Sequence, residues 1–272
     1  TNGFINAGGN LEFLGPKING DAWKTGLLEG LIVFPLAWLL SVITSALGGQ
    51  GGAQLAAIAI VTLVIRVFML LIGFKGQVGN MKMQEIQPKI QELNARFNDP
   101  KISEDEKRII SQKMINLYKE NGINPASAFL TTFIQFPIFI AVWAAMNQTV
   151  SIRSGVLFGL EFGVALNEQI FAGNITAILL MLIMIGGQLL TIKMPNIIRW
   201  FKDRKKPDYK KVKNSSQKQM NTMMIMMVVL IVLSAFVLPA ALVIYWVLGS
   251  IFSIIQTLIF STEFVNSKLK GL

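Results

Sequence analysis

The sequence predicts an all-α membrane protein: five transmembrane helices, an outer interfacial helix and a cytoplasmic helical hairpin. Three observations carry this expectation. Hydrophobic residues make up 53% of the 272-residue chain and charged residues only 15%, where a soluble domain carries nearer a quarter charged. Apolar stretches of about 20 residues, the length that crosses a bilayer as a helix, recur along the chain. The 25 Lys and Arg, set against 15 Asp and Glu for a formal charge of +10, are gathered into two segments.

Three spans are read directly: 53–74, 127–148 and 173–194. The run 220–260 is twice the span length and is interrupted at Pro239, which lacks a backbone N–H and cannot continue a helix without strain. It therefore reads as two spans, 220–238 and 240–260, joined by a tight turn. Segment 75–124 carries nine Lys/Arg and 195–219, with the Lys193 that precedes it, ten. Lys268 and Lys270 lie in the tail, 261–272. Only Lys17, Lys24 and Arg153 lie on the other side. Basic residues mark cytoplasmic loops, so both basic segments and the C-terminus are placed inside, and the 149–172 loop and the N-terminus outside. This is the arrangement of a multi-pass membrane protein. The chain starts at Thr1, which is compatible with removal of a signal peptide or with trimming. Within segment 1–52, residues 27–47 are long enough to span; with Glu29 as the lone charge and Pro35 near the start, they are read as a helix on the outer surface.

The first basic segment reads as two helices. Met83, Ile86, Ile90, Leu93 and Phe97 make a narrow stripe, and Pro88 should kink this arm. Asn98-Asp99-Pro100 is a turn, Ser103 and Glu106 form a capping box, and Asn121-Gly122 stops the second helix. With nine basic and seven acidic residues it is nearly neutral and not a DNA-binding element. It reads either as a rigid spacer or as a paddle meeting a partner at the bilayer surface. The second basic segment differs: nine Lys/Arg between Arg199 and Lys218 form an electrostatic patch. Charge alone divides evenly between anionic lipid and ribosomal RNA.

The absence of cysteine and histidine excludes disulfides, thiolate metal sites and the usual general base. No enzyme activity, cofactor or metal is expected. Chemistry rests instead on Arg66, the one charge in span 53–74, about 12 Å from its cytoplasmic end at 1.5 Å per residue. Helical side chains lean toward their own N-terminus, so Arg66 leans away from the nearer water. No Asp or Glu lies in any of the five spans to pair with it, and burial against lipid costs at least about 2.5–3.5 kcal/mol. A hydrated cavity between helices is the cheaper solution. Gln135, Gln188, Ser250 and Gln256 lie in other spans and would line it, although each alone reads equally as an interhelical hydrogen bond. Five methionines, Met220, Met223, Met224, Met226 and Met227, open the fourth span as adaptable apolar surface or simple lipid-facing filler.

A family emerges from these residues. Ile65-Arg66, Met81-Lys82-Met83-Gln84-Glu85-Ile86-Gln87-Pro88, Leu117-Tyr118-Lys119-Glu120-Asn121-Gly122-Ile123-Asn124-Pro125, Ile134-Gln135-Phe136-Pro137, Leu238-Pro239 and Ile244-Tyr245-Trp246 stand in an order and spacing that resembles the YidC membrane-protein insertase family in its five-span form. The likeness covers roughly residues 30–262. It departs where Met69-Leu70-Leu71 stands in place of a proline, at Ala240-Ala241, and at Ser250. The resemblance implies a groove open to the cytoplasm and to lipid but closed outside. Arg66 would be its positive centre, Gln135 would line it, and Tyr245 and Trp246 would contact a passing helix. It implies nascent membrane proteins and the lipid bilayer as partners, with the ribosome and the Sec translocon as further candidates, and the bacterial plasma membrane as the location. The rival readings are an anion transporter with Arg66 as substrate site, and a membrane scaffold.

Overall fold

The structure, a computed structural model, describes residues 26–49, 51–123, 125–203 and 217–261. A π-helical turn at Glu29–Val33 leads into α1 (Phe34–Ala46). There follow α2 (Gly51–Phe97), α3 (Glu104–Glu120), α4 (Pro125–Gln148) and a short α5 (Val150–Arg153). Strands β1 (Val156–Leu157) and β2 (Leu160–Glu161) form a small antiparallel hairpin. The chain closes with α6 (Leu166–Phe171), α7 (Ile175–Asp203), α8 (Gln217–Val237) and α9 (Ala240–Ser261). The protein is all-α in architecture and a multi-pass membrane protein. Among the described residues, Glu29–Ala46, Gly51–Phe74, Ile175–Ile198 and Ala240–Ser261 are each long and apolar enough to cross a bilayer.

Two helices are longer than their apolar parts. α2 carries on from its apolar half through Pro88 to Phe97, so the first arm of the hairpin is a continuation of a span. Glycines at 73, 76 and 79 cost a helix about 1 kcal/mol each and do not stop it. Pro88 removes one hydrogen bond without ending the helix. α7 likewise continues past Pro195.

The chain divides into two compact units. The first comprises the described parts of Thr1–Phe68, Ile134–Lys193 and Val228–Gln256. Its core is rich in alanine: Ala37, Ala57, Ala141, Ala145, Ala177 and Ala235 are buried. Small side chains let helix backbones approach closely, which is how helices associate where lipid offers no hydrophobic drive. Larger side chains such as Leu40, Ile58, Val142 and Val243 are buried among these alanines, while Leu63, Leu182 and Ile251 lie on the outward faces.

Residues 149–172, legible in the sequence only as a connection, form a folded cap on one end of this unit. Phe162 and Leu166 are fully buried. The first turn of α9 leaves backbone N–H groups without intrahelical partners, and the cap supplies the acceptors. Ala240 donates to the Val164 carbonyl at 3.1 Å and Ala241 to that of Phe162 at 3.0 Å, while Leu166 donates to Leu238 at 3.0 Å. Gln169, itself buried, uses both ends of its amide: Oε1 accepts from Glu161 N, and Nε2 donates to the Glu161 and Val164 carbonyls. Gln54 of α2 donates to the Ser151 carbonyl at 2.7 Å, and Gln148 donates to the Glu29 carboxylate. The helix ends on this side are thus joined through backbone groups that would otherwise be buried unpaired, each worth about 1 kcal/mol net.

The second unit comprises the described parts of Met69–Phe133, Met194–Met227 and the chain from Thr257. Its hairpin is held by its own small core. Ile86, Ile90 and Ile123 are buried, with Met83, Met114, Leu117 and Tyr118 packed against them. The stripe on the first arm is therefore largely covered by the second. Ser103 and Glu106 form the capping box, and Asp99 Oδ1 accepts from Lys101 N in the turn before it. At the other end, Gly122 adopts a left-handed φ of +63° and the Ile123 N–H reaches the Tyr118 carbonyl at 2.9 Å. This satisfies a terminal carbonyl in the manner of a Schellman stop. The ion pairs of α3, such as Lys107 with Glu104, are exposed and contribute only tenths of a kcal/mol.

Candidate functional site

Arg66 lies in the first unit, on the apolar half of α2, and is partly buried. α9 meets it with one face. Tyr245, Gly249, Ser253 and Gln256 are spaced by four, four and three residues, which aligns them on a helix. The guanidinium Nη1 donates to Ser253 Oγ at 3.5 Å, at the long limit of a hydrogen bond. The Ser253 hydroxyl donates its own hydrogen to the Gly249 carbonyl at 2.8 Å, and its oxygen accepts from the guanidinium. Gly249 makes room for this arrangement: a Cβ there would collide with Arg66 Nη2. Arg66 Nε is buried with no hydrogen-bond partner among the described residues. A guanidinium offers five N–H donors in a fixed fork, and no acidic side chain pairs with this one among the described residues. The positive charge is held against α9 by packing and one long bond, not neutralised.

The other residues singled out by the sequence distribute around this centre. Tyr245 shares the Arg66 face but is only 1% exposed, so its ring is part of the packing. Gln256 lies about three turns further along the same face and is partly exposed. Trp246 is on the neighbouring stripe and stacks on Phe139 of α4, with ring centroids 5.5 Å apart and planes inclined by 14°. Gln135 is one turn from Phe139 on α4, on the same face and partly exposed. Ser250, one turn below Trp246, is buried and donates to the Trp246 carbonyl at 3.0 Å. It packs against Gly187 of α7, where an added Cβ would lie 3.2 Å from Ser250 Cβ. Gln188 follows Gly187 and is partly exposed. Arg66 of α2 thus packs on the face of α9 that carries Gln256, while Ser250 and Gly187 form a close helix crossing.

Sequence reasoning passed over Gly249 and Ser253. Their signal was available: two small residues four apart in an apolar helix mark a face that another group approaches closely. The Arg199–Lys218 patch lies largely outside the described residues, as do Lys17, Lys24, Lys268, Lys270 and the side chains of the fourth-span methionines other than Met226, which is exposed. No cluster of acidic, histidine or cysteine side chains suited to a metal occurs among the described residues.

Residues 47–267 match the family described as 60Kd inner membrane protein. Over 247 residues the chain is 27% identical to a protein of Listeria innocua named membrane protein insertase YidC 2, covering 90% of this chain and 76% of the relative. It is 28% identical over 244 residues to a membrane protein insertase YidC of Oceanobacillus iheyensis, covering 89% and 87%. A relative of the same name from Mycoplasmopsis pulmonis is 28% identical over 240 residues, which are 88% of this chain but 39% of that longer protein. With a match that takes in well over half its length and a helical multi-pass architecture, the chain belongs to the 60Kd inner membrane protein family, the YidC/Oxa1 family.

Proposed function

We propose that this protein is a membrane protein insertase that moves hydrophobic segments with short acidic tails from the cytoplasm into the bilayer, through a hydrated groove centred on Arg66 and without nucleotide hydrolysis. The observation that carries the reading is Arg66 itself, a permanent charge on an apolar helix with, among the described residues, no acid paired with it and no acceptor for its buried Nε–H. The topology proposed with it has five spans in the bacterial plasma membrane, residues 27–47 at the outer surface, and both basic segments and the C-terminus in the cytoplasm. The folded cap of 149–172 suits closure of the outer side. The substrates are nascent membrane proteins; the basic 199–218 patch is the segment that would meet a ribosome or anionic lipid, and the Sec translocon is a candidate companion.

The physics runs in three steps. An acidic tail reaches the guanidinium; two charges 4 Å apart gain about 4 kcal/mol at an effective dielectric of 20. Water around Arg66 shortens the apolar barrier that the tail crosses, and an inside-negative potential favours its outward movement by about 2.3 kcal/mol per charge per 100 mV. The following apolar segment then partitions into lipid, releasing roughly 25 cal/mol per Å². The protein lowers a barrier, and the membrane supplies the driving force.

The test is insertion of a single-span substrate with an acidic tail into proteoliposomes. Arg66→Ala is expected to abolish most insertion, whereas Arg66→Lys retains a substantial part because a point charge suffices. Undiminished insertion by Arg66→Ala would falsify the reading. Loss of activity in a folded Arg66→Lys protein would replace the point charge with a planar, forked contact.

A further inference from the structure

We infer that the β-hairpin tip at Phe158, together with Phe171, is a lipid anchor that inserts into the bilayer interface on the membrane face where residues 149–172 lie. This inference rests on the chain being a membrane protein and not on its being an insertase.

Phe158 is 84% exposed and Phe171 79%. Exposure of two aromatic rings in a short loop is unusual where neighbouring apolar residues such as Phe162 and Leu166 are completely buried. Phe158 also has a positive φ of 50°, a conformation that Gly or Asn adopts readily and a bulky side chain rarely does. An aromatic residue kept in that conformation with its ring in the open points to a role for the ring outside the fold.

The tip is fixed in place. Leu157 pairs with Leu160 across the hairpin. Thr176 Oγ1 donates to the Phe158 carbonyl at 2.7 Å, and Asn174 Nδ2 donates to the Gly159 carbonyl at 2.6 Å. Asn174 Oδ1 in turn accepts from the Thr176 and Ala177 N–H groups at the start of α7. The tip is therefore tied to the first turn of a helix long and apolar enough to span the bilayer. Residues that begin such a span lie at the boundary between headgroups and hydrocarbon, where exposed Phe side chains bury their apolar surface.

Lipid is the occupant that continuity selects. From Ile175 onward α7 presents Ile178, Leu179, Leu182 and Ile183 to the outside, an apolar strip that begins beside Phe158 and runs into the hydrocarbon. A strip of this kind on a helix that crosses the bilayer is covered by acyl chains, and Phe158 extends it to the interface; Phe171 meets Phe236 of α8 edge-on, with centroids 5.7 Å apart, and leaves most of its surface open.

The full chain contains no cysteine, so a single probe can be introduced cleanly. Phe158→Cys and, separately, Phe171→Cys are labelled with an environment-sensitive nitrobenzoxadiazole fluorophore and reconstituted into phosphatidylcholine–phosphatidylglycerol vesicles. Glu168→Cys, at an exposed position on α6, is the reference. The expected result at both aromatic positions is blue-shifted emission, strong quenching by lipids spin-labelled near the headgroup, and at least several-fold weaker quenching by aqueous iodide than at the reference. Iodide quenching equal to the reference would overturn the inference. So would protection from both quenchers, which would mean that protein covers the tip. The Phe171 probe leaves Phe158 intact, so it reads the anchor even if the change at 158 disturbs the hairpin.

Discussion

At the scale of single residues, the pairing that matters most is Arg66 with Gly249. A methyl group at 249 would occupy the position of Arg66 Nη2, yet the atom displaced is the end of a flexible side chain. Gly249→Ala is therefore expected to leave the melting temperature nearly unchanged, since alanine also favours a helix over glycine by about 1 kcal/mol. Insertion should fall about five-fold as the guanidinium is pushed from Ser253. Lysine ends at the position of the arginine Cζ and has no Nη2 to collide. In an Arg66→Lys background, Gly249→Ala should then have no further effect. The non-additivity, on the order of 1 kcal/mol, separates a notch for the guanidinium from a helix contact that glycine merely permits. A Gly249→Ala loss that persists undiminished in the lysine background would assign Gly249 to helix packing instead. Arg66 itself was legible because a charge in an apolar run stands out by composition alone. Its neighbours on α9 were not. Glycine and serine have no conspicuous chemistry, and which of them faces the arginine depends on how two helices cross.

At the scale of elements, the hairpin and the cap of 149–172 show where a sequence can be read and where it cannot. The hairpin's signals are local. Ser103 and Glu106 are three residues apart and bond to each other's backbone groups, and Gly122 takes the left-handed turn that glycine tolerates best. Replacing Ser103 by alanine should cost about 1 kcal/mol. Hydrogen exchange would show this as faster exchange at Glu106 and in the first turn of α3, with the turn at Asn121-Gly122 unaffected. The cap's signals are non-local. Its strands are two residues long, too short for an alternating pattern. It is ordered by backbone groups meeting across a large sequence separation, as where Val164 and Phe162 accept from the first turn of α9. Nothing in the local composition announces such partners, although the buried Gln169, bonded at both ends of its amide, marks the place in retrospect. The continuity of α2 through Pro88 was obscured for a similar reason. Proline is a local breaker by propensity, and packing of Ile86 and Ile90 against the second arm holds the helix on both sides of it.

At the scale of the whole molecule, charge asymmetry and the lone arginine make a joint prediction about water. The proposed topology puts the basic segments 75–124 and 195–219 on the cytoplasmic side, and the cap of 149–172, whose one basic residue is Arg153, on the other. Gln112 on α3 and Glu168 in the cap are both exposed. A cysteine at 112 should react with a membrane-impermeant maleimide only from the cytoplasmic side, and one at 168 only from the opposite side. The proposed groove adds a sharper requirement. Gln135 is partly exposed on α4 and lies in the middle of an apolar segment, where a cysteine facing hydrocarbon would not ionise and would react with no aqueous reagent. If water reaches Arg66 from the cytoplasm, cysteine at 135 reacts from that side at a rate within about ten-fold of the exposed control at 112, and not from the other. Reaction from both sides would describe a pore, which suits an anion transporter. Silence from both sides would leave the charge dry and held by protein alone, as in a scaffold. Only one-sided access gives an acidic tail a route to the guanidinium while the cap keeps the membrane sealed.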